Sequence, residues 1–181
     1  FKYGYKPSGY LVGETLPNLA QILRGEAPAK TAPIVLKKDR NKDGQGDYAA
    51  SLILQQLVED YYDNSYQNII QKEVFGPLGM TESFFATELN EAQKSTVAVG
   101  YLEDGSRLNG DYYRYPELAT SALWTTPRDY IKLVRYVLDA ARGRDNRLLS
   151  VELAKAGITR QNDYRSLLFH VQEDGLVYWG G

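Results

Sequence analysis

Residues 115–138 read YPELATSALWTTPRDYIKLVRYVL, and they contain the clearest helix signal in the chain. Thr126 can cap the helix, Pro127 suits its first turn, and Asp129 places an acid where the helix dipole favours negative charge. Apolar residues follow at helical spacing, and Gly143 can end the helix. The predicted core-facing stripe consists of Tyr130, Leu133, Val134, Val137, Leu138 and Ala141.

Shorter helices are predicted on both sides of this segment. Leucines and an alanine recur at helical spacing before Gly25, which suits the position just past a helix end. A second helical pattern runs from Tyr48 to about Tyr62. Its expected buried stripe is Ala50, Leu54, Leu57, Val58 and Tyr61. Ser65 can cap a further helix that stops at Gly76-Pro77, and Ser150 can start another.

Two turn signals predict β-hairpins. Asp104-Gly105 lies between a segment that ends at Tyr101 and one that begins at Arg107, and this pair of residues is typical of a tight hairpin. Asp174-Gly175 follows residues 167–171, whose polarity alternates as in a half-buried strand. The sequence therefore predicts an α+β fold that is mostly helical, with short β-hairpins, one of them at the C-terminus.

The composition excludes several classes of function. The chain has 181 residues, of which 43% are hydrophobic and 24% charged, as is typical of a globular domain. The formal net charge of −2 and the absence of a basic run argue against nucleic acid as a partner. No apolar stretch approaches the ~20 residues of a membrane span. There is no cysteine, and a Ser-His-Asp triad could use only the single histidine, His170.

The segment DRNKDGQGD, residues 39–47, has the spacing of a calcium loop. Calcium takes six to eight oxygen ligands, and carboxylates or amides at alternate loop positions can point at one centre. The candidate ligands are Asp39, Asn41, Asp43 and Asp47. A full EF-hand is excluded because Ala50 stands where a bidentate glutamate is required. The alternative is a solvated polar turn, so structural Ca²⁺ remains one of two interpretations.

Four segments, in this order and spacing, resemble one family of hydrolases. They are GYLVGETLPNLAQILRGEAPAKTAPI (9–34), LQQLVED (54–60), VFGPLGMTESFF (74–85) and YPELATSALWTTPRDYIKLVRYVL (115–138). Together they are similar to the middle of serine β-lactamases and penicillin-binding proteins, a family that includes class C β-lactamases, DD-peptidases and esterases. All four are scaffold segments, and none of them performs chemistry.

The resemblance implies a place for this chain in a larger fold. Residues 1–165 would be a partial helical domain of the β-lactamase-like fold, and residues 166–181 would begin its β-sheet portion. The substrate would be a β-lactam, a D-Ala-D-Ala peptide or a small ester, and the family chemistry would require no cofactor. The resemblance also suggests a bacterial periplasmic or secreted location.

The catalytic motifs that the resemblance implies are missing or altered. Hydrolysis would need a serine with a lysine three residues later, so that the amine can help to remove the hydroxyl proton, and no serine here has one. The candidate for the Tyr-x-Asn motif is Tyr48, with Ala50 in place of asparagine; a tyrosine that merely opens a helix is the alternative. No Lys-Thr-Gly or His-x-Gly motif is present, and Lys30-Thr31-Ala32 is a chance partial match.

Two hypotheses follow. In the first, the chain is part of a serine hydrolase whose nucleophile lies in sequence before Phe1, and missing sequence or another chain completes the fold. In the second, it is a non-catalytic binding or structural module with a calcium loop, in which Tyr112, Tyr113 and Tyr115 offer an aromatic surface. A stand-alone enzyme with unfamiliar residues is a third alternative. Under the first two, we expect no catalysis by this chain alone.

Overall fold

The computed structural model describes residues 7–35, 48–160, 166–171 and 177–178, the last two by their backbone only. The helices are α1 (Leu19–Arg24), α2 (Tyr48–Tyr62), α3 (Tyr66–Ile70), a π-helical turn (Gln71–Phe75), α4 (Gly76–Leu78), α5 (Glu91–Lys94), α6 (Leu118–Ser121), α7 (Pro127–Ala141) and α8 (Val151–Ile158). The strands are β1 (Phe84–Phe85), β2 (Leu123–Trp124), β3 (His170–Val171) and β4 (Val177–Tyr178). The predicted α+β, mostly helical fold is confirmed.

The first of two compact units contains residues 7–35, 48–71 and 83–124 of the described chain. Helix α2 is its centre and packs against α1, α3 and α6. Strands β1 and β2 pair antiparallel, with Phe84 opposite Trp124. Gln55 lies buried on α2, and its side-chain oxygen accepts a hydrogen bond from the backbone N–H of Ala119 at 3.1 Å. That bond satisfies one of the N–H groups that α6 leaves open at its start.

The second unit contains residues 72–82, 125–160, 166–171 and 177–178. Helix α7 is its longest element and packs against α8 and α4. Strands β3 and β4 pair antiparallel, so the C-terminal hairpin is confirmed, although each strand has only two residues. Residues 161–165 lie outside the described ranges, and the division into 1–165 and 166–181 stays a prediction.

The predicted bounds of α7 are confirmed, but its buried face is rotated. Val137 and Ala141 are buried as expected, whereas Tyr136 and Ala140 are also buried and were not in the predicted stripe. The Tyr136 hydroxyl accepts hydrogen bonds from the backbone N–H groups of Leu148 and the following residue, at 2.8 and 2.7 Å. A tyrosine can therefore enter this core because its polar end is satisfied there.

The predicted stripe of α2 is wrong. The buried residues of this helix are Ala49, Leu52 and Gln55, and the residues expected to be buried lie on the other side. Of that expected stripe, Leu54, Leu57 and Tyr61 are 57%, 59% and 81% exposed. The side of α2 that packs inward includes the polar Gln55, whose side chain is paired there, so hydrophobic periodicity alone chooses the wrong side.

The predicted helix stop at Gly76-Pro77 is also wrong. The helical run continues through α4 and ends at Gly79, whose φ of 65° is the left-handed conformation that glycine adopts without strain. Proline is tolerated here because it stands in the first turn of α4, where its missing N–H is not needed. Met80 then lies buried in the core of the second unit.

The hairpin around Asp104-Gly105 is confirmed only in outline. Tyr101 and Arg107 form a single antiparallel bridge, with no regular strands on either side. The N–H of Leu102 donates to the Ser106 carbonyl at 2.8 Å, and the turn closes there. In the described ranges, none of the helices has both the length and the apolar character of a membrane span.

Thr126 is expected to stabilise α7 measurably. Its hydroxyl oxygen accepts the backbone N–H of Asp129 at 3.2 Å, so Thr126→Ala should lower the free energy of unfolding by about 1 kcal/mol. Ser65 occupies the same position before α3 but makes no side-chain capping bond. Ser65→Ala is therefore the matched control and should change stability by less than about 0.5 kcal/mol. Equal losses in urea unfolding for the two variants would contradict the capping role.

Candidate functional site

The first unit contains a shallow groove with a volume of about 290 Å³. We call it the tyrosine groove. Its lining is dominated by aromatic side chains from the turn that precedes Leu108, the segment that follows it, and β2. The lining residues are Gly100, Tyr101, Leu108, Tyr112, Tyr113, Tyr115, Ser121, Leu123 and Trp124.

The floor of the tyrosine groove is fixed by hydrogen bonds and ring packing. The Tyr112 hydroxyl accepts the N–H of Leu89 at 2.9 Å, and its ring meets Trp124 edge to face at 5.4 Å. The Trp124 indole N–H donates to the Ala86 carbonyl at 3.1 Å. These bonds satisfy the polar ends of both aromatic residues. They leave the apolar surfaces of the rings as the floor of the groove.

The rim of the groove is more exposed. Tyr101 and Tyr113 are 64% and 42% exposed. Tyr113 lies directly against Gly9, where an added Cβ would stand 2.7 Å from the Tyr113 ring. Only a glycine at position 9 lets the Tyr113 ring approach the backbone this closely. The rim therefore offers ring surface that a bound molecule can cover.

Among the polar groups of the groove, Tyr115 has an altered pKa. Burial raises the pKa of Tyr115, and the nearby Glu117 carboxylate and Tyr113 raise that pKa further. The phenol of Tyr115 therefore keeps its proton and can donate a hydrogen bond. Ser121 also lines the groove, but Trp124 stands three residues after it where a lysine would be needed. The groove thus offers aromatic ring surface and a phenol donor to a bound molecule, and its own residues do not form a nucleophile pair.

Arg114 holds the tyrosine segment in place. One guanidinium nitrogen donates to Glu88 Oε1 at 2.5 Å, and another donates to the carbonyls of Leu11 and Glu14, each at 2.6 Å. Its backbone forms an antiparallel bridge with Tyr10, with N···O distances of 2.9 and 2.8 Å. Because Arg114 lies between Tyr113 and Tyr115 in the chain, these contacts fix the segment from which both rings project.

A second set of contacts secures residues 7–35 beneath this segment. Lys30 Nζ forms an ion pair with Glu14 Oε2 at 2.7 Å and lies 4.5 Å from the centre of the Tyr10 ring. The hydrogen bond from Lys30 lowers the pKa of Glu14, and the N–H of Leu11 lowers it further. Lys30 therefore has a structural role, consistent with the chance match of Lys30-Thr31-Ala32 to a catalytic motif.

The sequence-predicted site residues are not brought together in the described structure. Tyr48 is the first residue of α2, is half exposed, and does not line the tyrosine groove. The candidate calcium ligands Asp39, Asn41, Asp43 and Asp47 lie outside the described residues, so their metal binding stays a prediction. Within the described ranges, no group of three or more His, Asp or Glu side chains could hold a metal ion.

His170 is half buried in β3, opposite Tyr178 in the hairpin. Sequence reasoning missed Arg114 and Glu117. Arg114 had one usable signal, because a single arginine inside the run Tyr112-Tyr113-Arg114-Tyr115 is a cation among aromatic neighbours. Glu117 had none, because its burial follows from the packing of α6.

The first unit thus combines a mostly helical fold with an aromatic groove whose own residues form no nucleophile pair. A family model described as Beta-lactamase matches residues 46–176. The chain therefore belongs to the beta-lactamase family. Members of this family act on small-molecule or peptide substrates, and its serine hydrolases need no cofactor.

Known relatives match the chain over part of their length. Protein Rv1367c of Mycobacterium tuberculosis is 30% identical over 107 residues, which cover 55% of this chain and 26% of that protein. The penicillin-binding protein from Bacillus halodurans is 24% identical, with a TM-score of 0.58 over 90% of this chain and 49% of its own. The octameric penicillin-binding protein homologue from Pyrococcus abyssi is 17% identical, with a TM-score of 0.55 over 85% and 34%.

In each comparison, the match covers less than half of the related protein. The chain spans about a quarter of the length of the curated relatives it matches. The two structural likenesses concern the fold alone, since both identities are below a quarter. The family is thus assigned, whereas the activity of the whole protein is a matter for proposal.

Proposed function

We propose that this chain forms the substrate-facing helical part of a serine hydrolase that cleaves an amide or ester bond. The nucleophile motif, a serine with a lysine one helical turn later, is supplied from outside residues 1–181. The observation that carries this proposal is the tyrosine groove, a built binding surface in a chain of the beta-lactamase family that has no nucleophile pair of its own. The small share of each relative that the chain covers supports it.

The division of labour follows from the chemistry of each part. The serine hydroxyl attacks the substrate carbonyl while the lysine takes its proton; the C–N or C–O bond then breaks, and the leaving amine or alcohol takes up that proton. Water hydrolyses the resulting acyl-enzyme to the acid and frees the serine. The groove contributes positioning, since held substrates react as if at high effective concentration. Tyr112 and Trp124 present ring surface to an apolar or aromatic substituent, and Tyr115 presents a neutral hydroxyl for a carbonyl or amide oxygen. Substrates of this shape include β-lactams, D-Ala-D-Ala peptides and small esters.

A second candidate function is a non-catalytic binding module. The observation that favours it is the altered Tyr48 motif, because Ala50 replaces an asparagine that would contact substrate. In that case the tyrosine groove binds a ligand without turnover, and Ca²⁺ on Asp39, Asn41, Asp43 and Asp47 holds the start of α2. The two candidates differ in whether the complete protein releases product.

Kinetics on the complete protein test the role of the groove. The substrates are a chromogenic cephalosporin, a D-Ala-D-Ala peptide and a p-nitrophenyl ester. Tyr101→Ala and Tyr113→Ala each remove one rim ring, and we expect KM for the preferred substrate to rise about three- to tenfold at unchanged kcat. Leu102→Ala is the control, since Leu102 is an exposed neighbour of Tyr101 that does not line the groove. Unchanged KM in both tyrosine variants would remove the groove from the substrate site, and no turnover of any substrate would favour the second candidate.

A further inference from the structure

The charges of this chain are unevenly distributed along the sequence. The whole chain has a formal net charge of −2, but residues 125–160 contain eight arginines and lysines against four acids. This segment, which includes α7 and α8, therefore has a net charge of +4, and the remaining residues have a net charge of −6. The small value for the whole chain thus conceals a basic region in the second unit.

Three of these arginines lie on one side of α7. Arg128, Arg135 and Arg142 are each seven residues apart, which is close to two helical turns, and Ile131 lies between the first two. All four residues are exposed, with 85% of the Arg135 side chain and 60% of Ile131 open to solvent. Val137 is buried on the opposite side, where α7 packs on α8 and α4. We call the exposed stripe the basic face of α7.

The acids of the second unit do not neutralise this face. Arg128 and Arg142 form no ion pair with any described residue. Asp139 is shared by two arginines, since its carboxylate lies 3.6 Å from Arg135 Nε and 3.3 Å from Arg144 Nη1. The basic face and the adjoining Arg144 therefore keep an excess of positive charge.

The stability of α7 does not account for all of these cations. Arg142 stands at the C-terminal end of the helix, where the helix dipole favours a positive charge. Arg128 stands in the first turn, where the same dipole disfavours one. Arginine is rarely buried without a paired charge, so this stripe stays at the surface of the complete protein. A partner of the basic face must therefore be anionic.

We propose that the basic face of α7 docks on the anionic surface of a lipid bilayer, with the helix axis parallel to the membrane plane. Its arginines span about 21 Å and can reach several lipid phosphates at once. Ile131 lies among them and can enter the boundary between headgroups and acyl chains, as apolar residues of interfacial helices do. A phosphate polymer such as nucleic acid would engage the arginines but would offer Ile131 no comparable apolar contact. The inference is independent of the proposed function.

Vesicle flotation of the complete protein tests this docking. The vesicles contain phosphatidylglycerol and phosphatidylcholine in equal parts, and vesicles of phosphatidylcholine alone are the neutral reference. We expect binding to the anionic vesicles at about 50 mM salt and its loss at about 500 mM salt, because salt screens the attraction. Arg128→Gln and Arg142→Gln should each lower the partition coefficient about fivefold. Ile131→Ser should lower it about threefold.

Two variants at exposed positions outside the basic face are the controls. Arg24→Gln removes an exposed arginine of α1, and Leu153→Ser removes an aliphatic side chain of α8 that is 63% exposed. Both should leave the partition coefficient unchanged. Circular dichroism checks that every variant is folded.

No binding to the anionic vesicles at low salt, or equal binding to the neutral ones, would overturn the inference. Equal losses in the control variants and the face variants would overturn it as well. Unchanged binding of Ile131→Ser, or displacement by polyphosphate at equal phosphate concentration, would assign the face to a phosphate polymer instead of a bilayer. Acylation by a fluorescent penicillin reports the proposed function separately, since a protein that binds vesicles without being acylated keeps this inference alone.

Discussion

Arg114→Ala is expected to lower the free energy of unfolding of the first unit by about 3 kcal/mol. The Arg114 side chain is only 9% exposed. Its guanidinium donates hydrogen bonds to the Glu88 carboxylate and to the carbonyls of Leu11 and Glu14. Removing it takes this donor from the half-buried Glu14 carbonyl, and an unsatisfied acceptor costs about 1–3 kcal/mol. The Leu11 carbonyl still accepts the N–H of Glu14 at 3.1 Å. The ion pair with Glu88 adds less, because Glu88 is largely exposed to solvent.

Urea unfolding measures this loss, and Arg107→Ala is its control. Arg107 also pairs with an acid, Asp111, but both side chains are exposed, so we expect a loss below about 1 kcal/mol. A loss at Arg114 no larger than the loss at Arg107 would show that the buried network does not hold the tyrosine segment.

Asp129→Ala is expected to have a comparable effect in the second unit. The Asp129 carboxylate is fully buried, and it accepts the N–H of Glu82 at 2.8 Å and the ammonium of Lys132 at 2.7 Å. Lys132 also donates to the Gly79 carbonyl, so these contacts join the start of α7 to the turn after α4. Removing the carboxylate leaves a half-buried N–H without this acceptor and takes one of two partners from the partly exposed Lys132 ammonium, at a cost of about 2 kcal/mol.

The control for Asp129 is Asp145→Ala. Asp145 pairs with Arg147 at 3.4 Å on the surface of the same unit, and we expect its removal to cost less than about 1 kcal/mol. Thermal or urea unfolding of both variants measures the two losses of stability. Equal stabilities would mean that Asp129 serves only as a first-turn acid, which is how the sequence alone presents it.

The sequence predicts elements of this fold well where the signal is local. The cap at Thr126, the left-handed glycine at Gly25 and the helix at Tyr48–Tyr62 depend on residues within a few positions of one another, and all three are confirmed. The orientation of α2 is not local. It depends on which side of the helix meets α6, and that choice involves Gln55 and the distant N–H of Ala119.

The candidate site shows the same limit. The tyrosines at 112, 113 and 115 stand out in the sequence, and the structure confirms that they share a surface. Trp124 joins them only through the pairing of β2 with β1, and Arg114 acquires its role from carbonyls about a hundred residues earlier. In the sequence, Glu117 and Asp129 resemble ordinary surface acids, because the residues around them do not indicate that either side chain is buried.

The central claim is the proposal that the complete protein is a serine hydrolase whose nucleophile lies outside residues 1–181. Its most direct test is covalent labelling of the complete protein with a fluorescent penicillin and a fluorophosphonate, followed by peptide mass mapping of the adduct. The account predicts a single acylated serine outside these residues, with a lysine three positions later, and no adduct on the 181-residue chain alone. An adduct on any serine within residues 1–181, or a folded complete protein that neither reagent labels, would contradict it.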